Sequence, residues 1–595
     1  MDGDKSNMAN DYSKLSKEEL LKVVKKLESR KKYGLIWEEE RTKEQFEKES
    51  ENALPVLKEV KGKEIITNQE QPVNILIEGD NYHALSVLNY THLGKVDFIY
   101  IDPPYNTGNK TWKYNNSYVD RDDVYRHSKW LTFMQKRLRL AKNLLTEDGI
   151  IVATIDDYEI FQLGMLMDEV FGEDNRMAVV VVLNKKSGRT TDQFFATCHE
   201  YYLFYAKNIS RAKIELFDLS EDNISEYKFE DKISRYKWRD FLRTGGFSTP
   251  KERPNSYYPI YYSEKTGEIS TKKIDGSIEI FPIDTKGNKR VWRQTIPSLN
   301  ELIDQDDIKV EKNRSGSYGV RIKDRIKIGL RPKTVWDDPR YDAATHGTKF
   351  LEVILGQAKV FDFPKSLHAV LDTLKITVKN KKSAIVLDFF AGSGTTGHAV
   401  LELNKEDCGN RKFILCTNNE LNGLESDLRK KGLNDKEIQE YGICQRVTYP
   451  RLCNVIRGFK DSGNGICKLG GNLKYFRTAF VKKTISKDTL KICITRECTE
   501  MLCLREGIFE EKKKTTDYRI FEQNSRIMAI YYSLERAELK LLKKDLDKMQ
   551  GKKILYCFTL DPLGLDKKDF LDWEGILLEP IPQKILDIYE GIYEY

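Results

Sequence analysis

The stretch VDFIYIDPPYNTG, Val96 to Gly108, decides the fold. Val96 to Ile101 is an apolar run rich in β-branched and aromatic residues, the pattern of a buried parallel strand. Pro103 and Pro104 then end it, because neither can donate to a sheet ladder and each fixes its own φ. The product is a rigid shelf at the C-terminal end of a strand, where open α/β sheets bind ligands. Asp102 puts a carboxylate on this shelf, Tyr105 an aromatic ring, and the prolines leave their carbonyls free to accept. Taken alone, the tetrapeptide also fits a Pro-Pro turn beside a solvent-facing aspartate.

Strand and helix patterns alternate on both sides of the shelf. NILIEGD is a strand ending at Gly79-Asp80, with a helix over 82–90 after it. Beyond the shelf the spacing predicts a helix over 130–145, the buried strand IIVATID, a helix over 161–171, and strands over 178–183 and 200–207. Units of this kind predict an α/β fold built on a doubly wound, mostly parallel sheet. Between 208 and 333 the alternation fails. Short strands, Gly-rich turns and basic residues interleaved with aromatics (SRYKWRDFLRTGG, RPNSYYPIYY, NKRVWRQ) predict an inserted module. The interleaving suits phosphate and base contacts, and equally an ordinary charged β-rich insert.

A second motif follows the insert. AIVLDFFAGSGTTGHAVLEL, residues 384–403, reads as strand, glycine turn and helix. Gly392 and Gly394 permit close backbone approach to a ligand, and the helix aims its N-terminal amides at the same place. Gly392, Gly394 and Gly397 stand at the G-x-G-x-x-G spacing that fits many nucleotide binders, but no well-placed acidic residue follows the next strand, KFILCTNNE, which ends in polar residues from Thr417 to Glu420. The expected division is an N-terminal helical segment (1–72), a shelf half (73–207), the insert (208–333), a glycine-loop half (334–430) and a C-terminal α/β domain (431–595). The first segment carries a capping box at 16–19 and an apolar stripe of Leu20, Val23, Val24 and Leu27, with charged helical sequence continuing to Gln71.

Composition narrows the function classes. The net charge of +7, with 32% charged residues, permits a basic groove for an anionic polymer without demonstrating one. Ten cysteines form no CxxC pair and none follows a proline, so neither a zinc site nor a disulfide framework is indicated. There is no GxxxxGK[ST] phosphate loop, no apolar run long enough to span a membrane and no signal peptide, so a cytoplasmic location is expected. Asp156-Asp157 reads as a strand terminus lining the cleft rather than a metal pair, and no metal is expected. His398 reads as packing or solvent-facing.

A strand ending in DPPY together with one ending in DFFAGSGTT resembles the S-adenosyl-L-methionine (AdoMet)-dependent amino-methyltransferases of nucleic-acid bases, in the β order of that family. RKKYGLIWEEE, EGDNYHAL, HGTKFLEVILG, FDFPKSL, NKEDCGNRKFIL and GGNLKYFRTAFV extend the resemblance to the modification subunits of type III restriction systems, over nearly the whole chain. The resemblance implies a Rossmann-like methyltransferase acting on adenine N6 in double-stranded DNA, with 208–333 as target-recognition domain. It further implies a homodimer and an ATP-dependent restriction partner. Asp102, Pro103, Pro104 and Tyr105 become the catalytic shelf. Asp102 and the Pro103 carbonyl would hold both amino hydrogens, stabilising the charge that develops on nitrogen, and Tyr105 would stack on a flipped base. Phe389, Ala391, Gly392 and Gly394 would lie against the methionine part of AdoMet, oriented by Asp388, with Thr395 and Thr396 opening the helix. Asp80 matches the cofactor-adenine contact, or serves as a helix cap, or both. Lys365 matches a lysine near the cofactor carboxylate, or is solvated. Thr417 stands where the family often has a ribose-binding acid. Trp112, Tyr114 and Tyr118 lie in a loop that could fold over the flipped base, or equally form a core or surface cluster. Both motifs end at one sheet edge, so an insert joined there could lie beside the cleft.

Three rivals remain. Cytosine-N4 methylation shares the chemistry but more often has Ser at the Asp102 position. A nicotinamide oxidoreductase conflicts with the lack of a well-placed acid after the next strand and with the Asp-Pro-Pro-Tyr shelf. A DNA-binding specificity subunit is compatible with the basic insert.

Overall fold

In a computed structural model of the chain, the described residues are 16–18, 20–21, 35, 37–38 and 53–593, apart from 115–116, 191, 314–315, 422, 462–464 and 485. Glu19 of the expected capping box, the apolar stripe beyond Leu20 and the ring positions of Trp112, Tyr114 and Tyr118 lie outside them. The chain divides into two compact units: residues 216–332, and everything else.

The larger unit is built on a ten-stranded sheet. Its strands in chain order are β1 (Ala53–Glu59), β2 (Val73–Glu78), β3 (Val96–Ile101), β4 (Leu145–Ile155), β5 (Arg176–Val182), β6 (Glu200–Ala206), β7 (Val335–Trp336), β8 (Ile385–Asp388), β9 (Lys412–Thr417) and β10 (Asn472–Lys482). They lie in the order β1-β10-β2-β9-β8-β3-β4-β6-β5-β7. The run from β10 to β4 is parallel throughout. β3, β8 and β9 read as nearly continuous apolar runs because both their faces are covered. The helices that cover the sheet include α1 (Asn81–Thr91), α2 (Arg126–Leu144), α3 (Ile160–Phe171), α4 (Leu367–Val378), α5 (Thr395–Asp407) and α6 (Tyr449–Arg457).

Three features depart from the sequence expectations. Ala53–Glu59, expected as charged helix, is the edge strand β1, with Pro55 tolerated because it sits at the sheet margin. Asn472–Lys482, expected within a separate C-terminal domain, is β10 and lies between β1 and β2. The sheet therefore recruits sequence from well past residue 430, and the sequence distance hides the pairing. Finally, β6 runs antiparallel to β4, pairing Ile155 with Tyr201 and Ile150 with Ala206. The chain thus leaves β6 at the edge opposite Asp102 and returns at β7, whose Val335 and Trp336 pair with Val181 and Val182 at the Glu200 end.

A five-stranded sheet follows in the C-terminal region, from Glu510–Lys514 to Ile576–Ile581, and its closing helix α7 (Gln583–Tyr593) returns to the main sheet. Tyr589 donates from its hydroxyl to the Pro55 carbonyl at 2.6 Å, and Ile585, Leu586 and Tyr589 join the main core. The smaller unit has its own core around Phe241, Trp292 and Leu299, between a four-stranded and a three-stranded antiparallel sheet.

Candidate active site

Parallel strands offer their last residues at one edge of a sheet; an antiparallel neighbour offers its first. β2, β9, β8, β3 and β4 thereby deliver Asp80, Thr417, the 388–396 loop, Asp102 and Asp156 to a common edge, and β6 delivers Glu200. The two motifs predicted to act together are next-door neighbours, since β8 pairs with β3.

The shelf is held from three sides. Thr154 donates to Asp102 Oδ1 at 2.6 Å from the adjoining strand. Trp130 Nε1 donates to the Pro104 carbonyl at 2.7 Å, while the Pro103 carbonyl has no donor among the described residues. Asn106 turns the chain in the left-handed region (φ 54°) and donates from Nδ2 to Glu159 Oε1 at 2.5 Å. The same oxygen lies 2.6 Å from His127 Nδ1, and Oε2 is buried without a partner. Burial raises the Glu159 carboxyl to about 7, opposed by the Asn106 hydrogen bond and the Arg126 charge.

Lys365 and Glu200 complete the shelf. Lys365 Nζ lies 2.9 Å from Asp102 Oδ1, 3.0 Å from Glu200 Oε2 and 4.7 Å from the centre of the Tyr105 ring. It donates to the Tyr105 oxygen at 2.5 Å, and the Tyr105 hydroxyl in turn donates to Glu200 at 2.9 Å. Burial pulls the Lys365 ammonium down, but the Asp102 and Glu200 carboxylates outweigh it and hold its pKa above the ordinary lysine value. Burial and the same two carboxylates keep the Tyr105 phenol protonated. Lys365 therefore stands on the Asp102–Tyr105 shelf itself. Glu200 was missed in the sequence because one acid at the mouth of an apolar strand looks like an ordinary strand start. The lysine was legible as a candidate, but its carboxylate partners were not.

The glycine loop is knitted internally. Asp388, buried at the end of β8, accepts from Thr396 Oγ1 at 2.6 Å and from the Phe390 amide at 2.9 Å. Burial raises its carboxyl to about 7 against these bonds. Thr395 Oγ1 accepts from Arg451 at 2.7 Å and lies 3.0 Å from Ser393 Oγ. The hydroxyls of Thr395 and Thr396 thus shape the loop from within. Phe389 is buried in the core and its carbonyl accepts from Asn81 at 2.9 Å; the Ala391 amide donates to Cys416 in β9 at 3.1 Å. Gly392 adopts φ +45°, and a Cβ there would stand 3.2 Å from the Phe361 ring. Gly394 is the N-cap of α5 and supplies no side-chain cap, leaving the helix amides to other partners.

Asp80 is a helix cap, accepting from the Tyr82 amide at 2.8 Å. Its carboxylate also faces the buried Arg137 at 3.3 Å and remains partly exposed, so one side stays available to a ligand. Arg137 was unremarked in the sequence; it reaches Asn81 Oδ1 at 2.5 Å and packs 3.7 Å from the Phe133 ring centre. Thr417 is nearly buried beside Asp80, its carbonyl accepting from the Gly79 amide at 3.0 Å. His398 is fully buried, stacked on Phe350, and has a packing role.

The DNA methylase family model (N6_N4_Mtase) matches residues 96–421 of this chain. The chain is similar to the type II methyltransferase M.KpnI of Klebsiella pneumoniae, 36% identical over 354 residues, covering 57% of this chain and 79% of that protein. It is similar to the type III restriction-modification enzyme EcoPI Mod subunit of Escherichia phage P1, 32% identical over 452 residues, covering 70% of this chain and 67% of that protein. Over 450 residues it is 28% identical to the EcoP15I Mod subunit of Escherichia coli, covering 67% of this chain and 65% of that protein. Among solved structures, the M1.HpyAVI–SAM complex matches with a TM-score of 0.27 at 14% identity, over 60% of this chain and 100% of that one.

Proposed function

The chain belongs to the N6/N4 DNA methylase family, and from that premise we propose that it methylates adenine N6 in duplex DNA as the modification subunit of a restriction-modification system. The observation that carries the reading is the shelf. Asp102 and the Pro103 carbonyl are two acceptors side by side, and a carboxylate at that place favours the cation that forms as an exocyclic amine is alkylated. An acid there, rather than serine, supports adenine over cytosine.

AdoMet is the cofactor, and the site chemistry suits it. Gly392 leaves the backbone bare where a side chain would crowd Phe361, the uncapped amides of α5 suit a carboxylate, and Asp80 keeps an exposed face for an adenine amino group. Bound there, AdoMet supplies a methyl group on a sulfonium. We assign Phe389, Ala391, Gly392, Gly394 and Asp388 to the cofactor loop, and Thr417 to its ribose side.

Lys365 has a definite task in this scheme. Its ammonium occupies Asp102 and covers the Tyr105 ring, the two places a target base needs. When the base enters, its amino group takes the Asp102 carboxylate and Lys365 retreats to Glu200. Two carboxylates are then matched by the lysine and by the developing ammonium, so no buried charge is left unpaired.

The smaller unit is assigned as the target-recognition domain. Burial, Arg239 and Arg243 pull the Arg293 guanidinium down there, opposed by Asp240 and Asp324; a phosphate would favour its charged form. From the resemblance to type III modification subunits we propose a homodimer and an ATP-dependent restriction partner. No helix among the described residues is long and apolar enough to cross a membrane, which suits a cytoplasmic location. Incubating the purified chain with labelled AdoMet and duplex DNA, then digesting to nucleosides, tests the chemistry. Label in N6-methyladenosine is expected; label in N4-methylcytosine overturns the adenine assignment.

A further inference from the structure

The loop between β5 and β6, residues 183–199, springs from the catalytic edge at both ends, because β5 and β6 are antiparallel and pair Val182 with Glu200. Its root is the active site itself: Glu200 accepts from Tyr105 and Lys365. The loop is stiff. The Lys185 amide donates to the Cys198 carbonyl at 3.2 Å, and the Arg189 amide to Thr197 at 2.9 Å, making two rungs across it. Gly188 turns the chain at φ +72°, so close to the far side that a Cβ would lie 2.6 Å from the Ala196 Cβ. Asp192 closes the tip by accepting from the Thr197 amide at 2.8 Å.

At the end of this arm stand Phe194 and Phe195, 84% and 89% exposed. Two adjacent phenylalanines so placed are unusual on a soluble surface, where large apolar groups left in water mark an interaction site. Their setting indicates the partner. Lys185, Lys186 and Arg189 are exposed on the same arm, against a single acid, Asp192. Asp192 is occupied by the Thr197 amide. Arg189 reaches toward the shelf, where its charge opposes the effect of burial on Asp156. An apolar tip flanked by cations, beside a pocket that receives a base, fits a nucleic-acid duplex: phosphates for the cations, an opened base step for the rings.

We propose that Phe194 and Phe195 are the wedge that enters the duplex and fills the space vacated by the target base. This rests on the DNA-methylation reading. Extruding a base breaks its stacking on both sides. A ring inserted into the gap restores part of that contact and blocks the base from returning. The arm's rigidity keeps the rings in register with the pocket through Glu200.

The test uses the full chain and two duplexes carrying its mapped recognition sequence, one with the target adenine for methylation and one with 2-aminopurine in its place, which lacks the C6 amino group and reports base extrusion only. The wild-type chain first establishes single-turnover methylation; failure there refutes the parent reading, not the wedge. The F194A/F195A variant, checked for unchanged melting temperature and AdoMet binding, is expected to methylate the fully paired duplex at least about tenfold more slowly and to lose the 2-aminopurine fluorescence rise. On a duplex with an abasic position opposite the target, where the base is already loosened, the deficit should shrink to about threefold or less. The conservative F194W/F195W variant should restore the paired-duplex rate. Equal rates for wild type and F194A/F195A on the paired duplex overturn the wedge. So does an equal deficit on both duplexes, which would mark the arm as a general DNA contact. A changed oligomeric state with normal base extrusion would also overturn it and assign the phenylalanines to a contact between protein chains.

Discussion

Glu159 offers the most quantitative prediction, because its carboxyl is buried under the turn that follows the catalytic shelf. Burial raises it from its ordinary value of 4.5 to about 7. The folded state then binds a proton that the unfolded chain has released over this interval, so stability falls as pH rises from about 4.5 to about 7 and levels off above. Glu159→Gln preserves an acceptor for Asn106 Nδ2 and removes the ionisation. At about 1.36 kcal/mol per pH unit, the stability gained by the variant grows by about 2 kcal/mol between about pH 5.5 and pH 8. Thermal unfolding reads this as a difference in midpoint between the two proteins that widens by a few degrees, on the order of 1–2 °C per kcal/mol for a unit this large. A difference constant across that range would refute the reasoning, since it would mean that Glu159 ionises alike in the folded and unfolded chain. A variant advantage that shrank with rising pH would refute it more strongly, because the sign itself would be wrong.

Other consequences of the site are equally open to measurement. Lys365→Met leaves Asp102 and the buried Glu200 without their cation and should destabilise the chain by about 3 kcal/mol; adding Glu200→Gln should recover part of the loss, and strict additivity in the melting temperatures would contradict the shared ion pair. Glu200→Gln alone strands Lys365 on Asp102, so the KM for DNA should rise and kcat should fall; unchanged kinetics would show that the lysine needs no second carboxylate. Gly392→Val forces a β-branched residue into φ +45° against Phe361, and AdoMet titrated by calorimetry should bind at least about tenfold more weakly. Arg239→Ala should reduce the salt slope of DNA binding by about one; an unchanged slope would remove that arginine from the phosphate contacts.

What the sequence made legible follows from what a one-dimensional pattern can carry. β3 and β8 are short apolar runs buried on both faces, and each ends in residues that break strands, so both strands and their common ligand edge could be read directly. Asp102, Tyr105, Gly392 and Asp388 came with them, because their roles depend on local geometry at those ends. β1 and β10 could not be read as members of this sheet. They pair with one another across more than four hundred residues, and their many charges belong to an edge region where one side meets water. Lys365 and Glu200 show the same limit at the site. Each is an ordinary charged residue in its own segment; the antiparallel entry of β6 brings Glu200 to Asp102, and the segment before α4 brings Lys365. Arg137 and Arg451 were hidden for a related reason: on amphipathic helices a basic residue reads as solvated until packing buries it. Thr395 and Thr396 also have partners that the sequence did not show, Arg451 of α6 for the first and Asp388 for the second.

The central claim is that the Asp102 shelf transfers a methyl group to the amino nitrogen of adenine at a specific DNA sequence. Its most direct test is single-molecule sequencing of modified bases in DNA from a methylase-deficient host expressing this chain, beside an Asp102→Ala control. N6-methyladenine at one motif, absent from the control, is the result expected here. N4-methylcytosine at a motif, or N6-methyladenine that persists in the control, would contradict it.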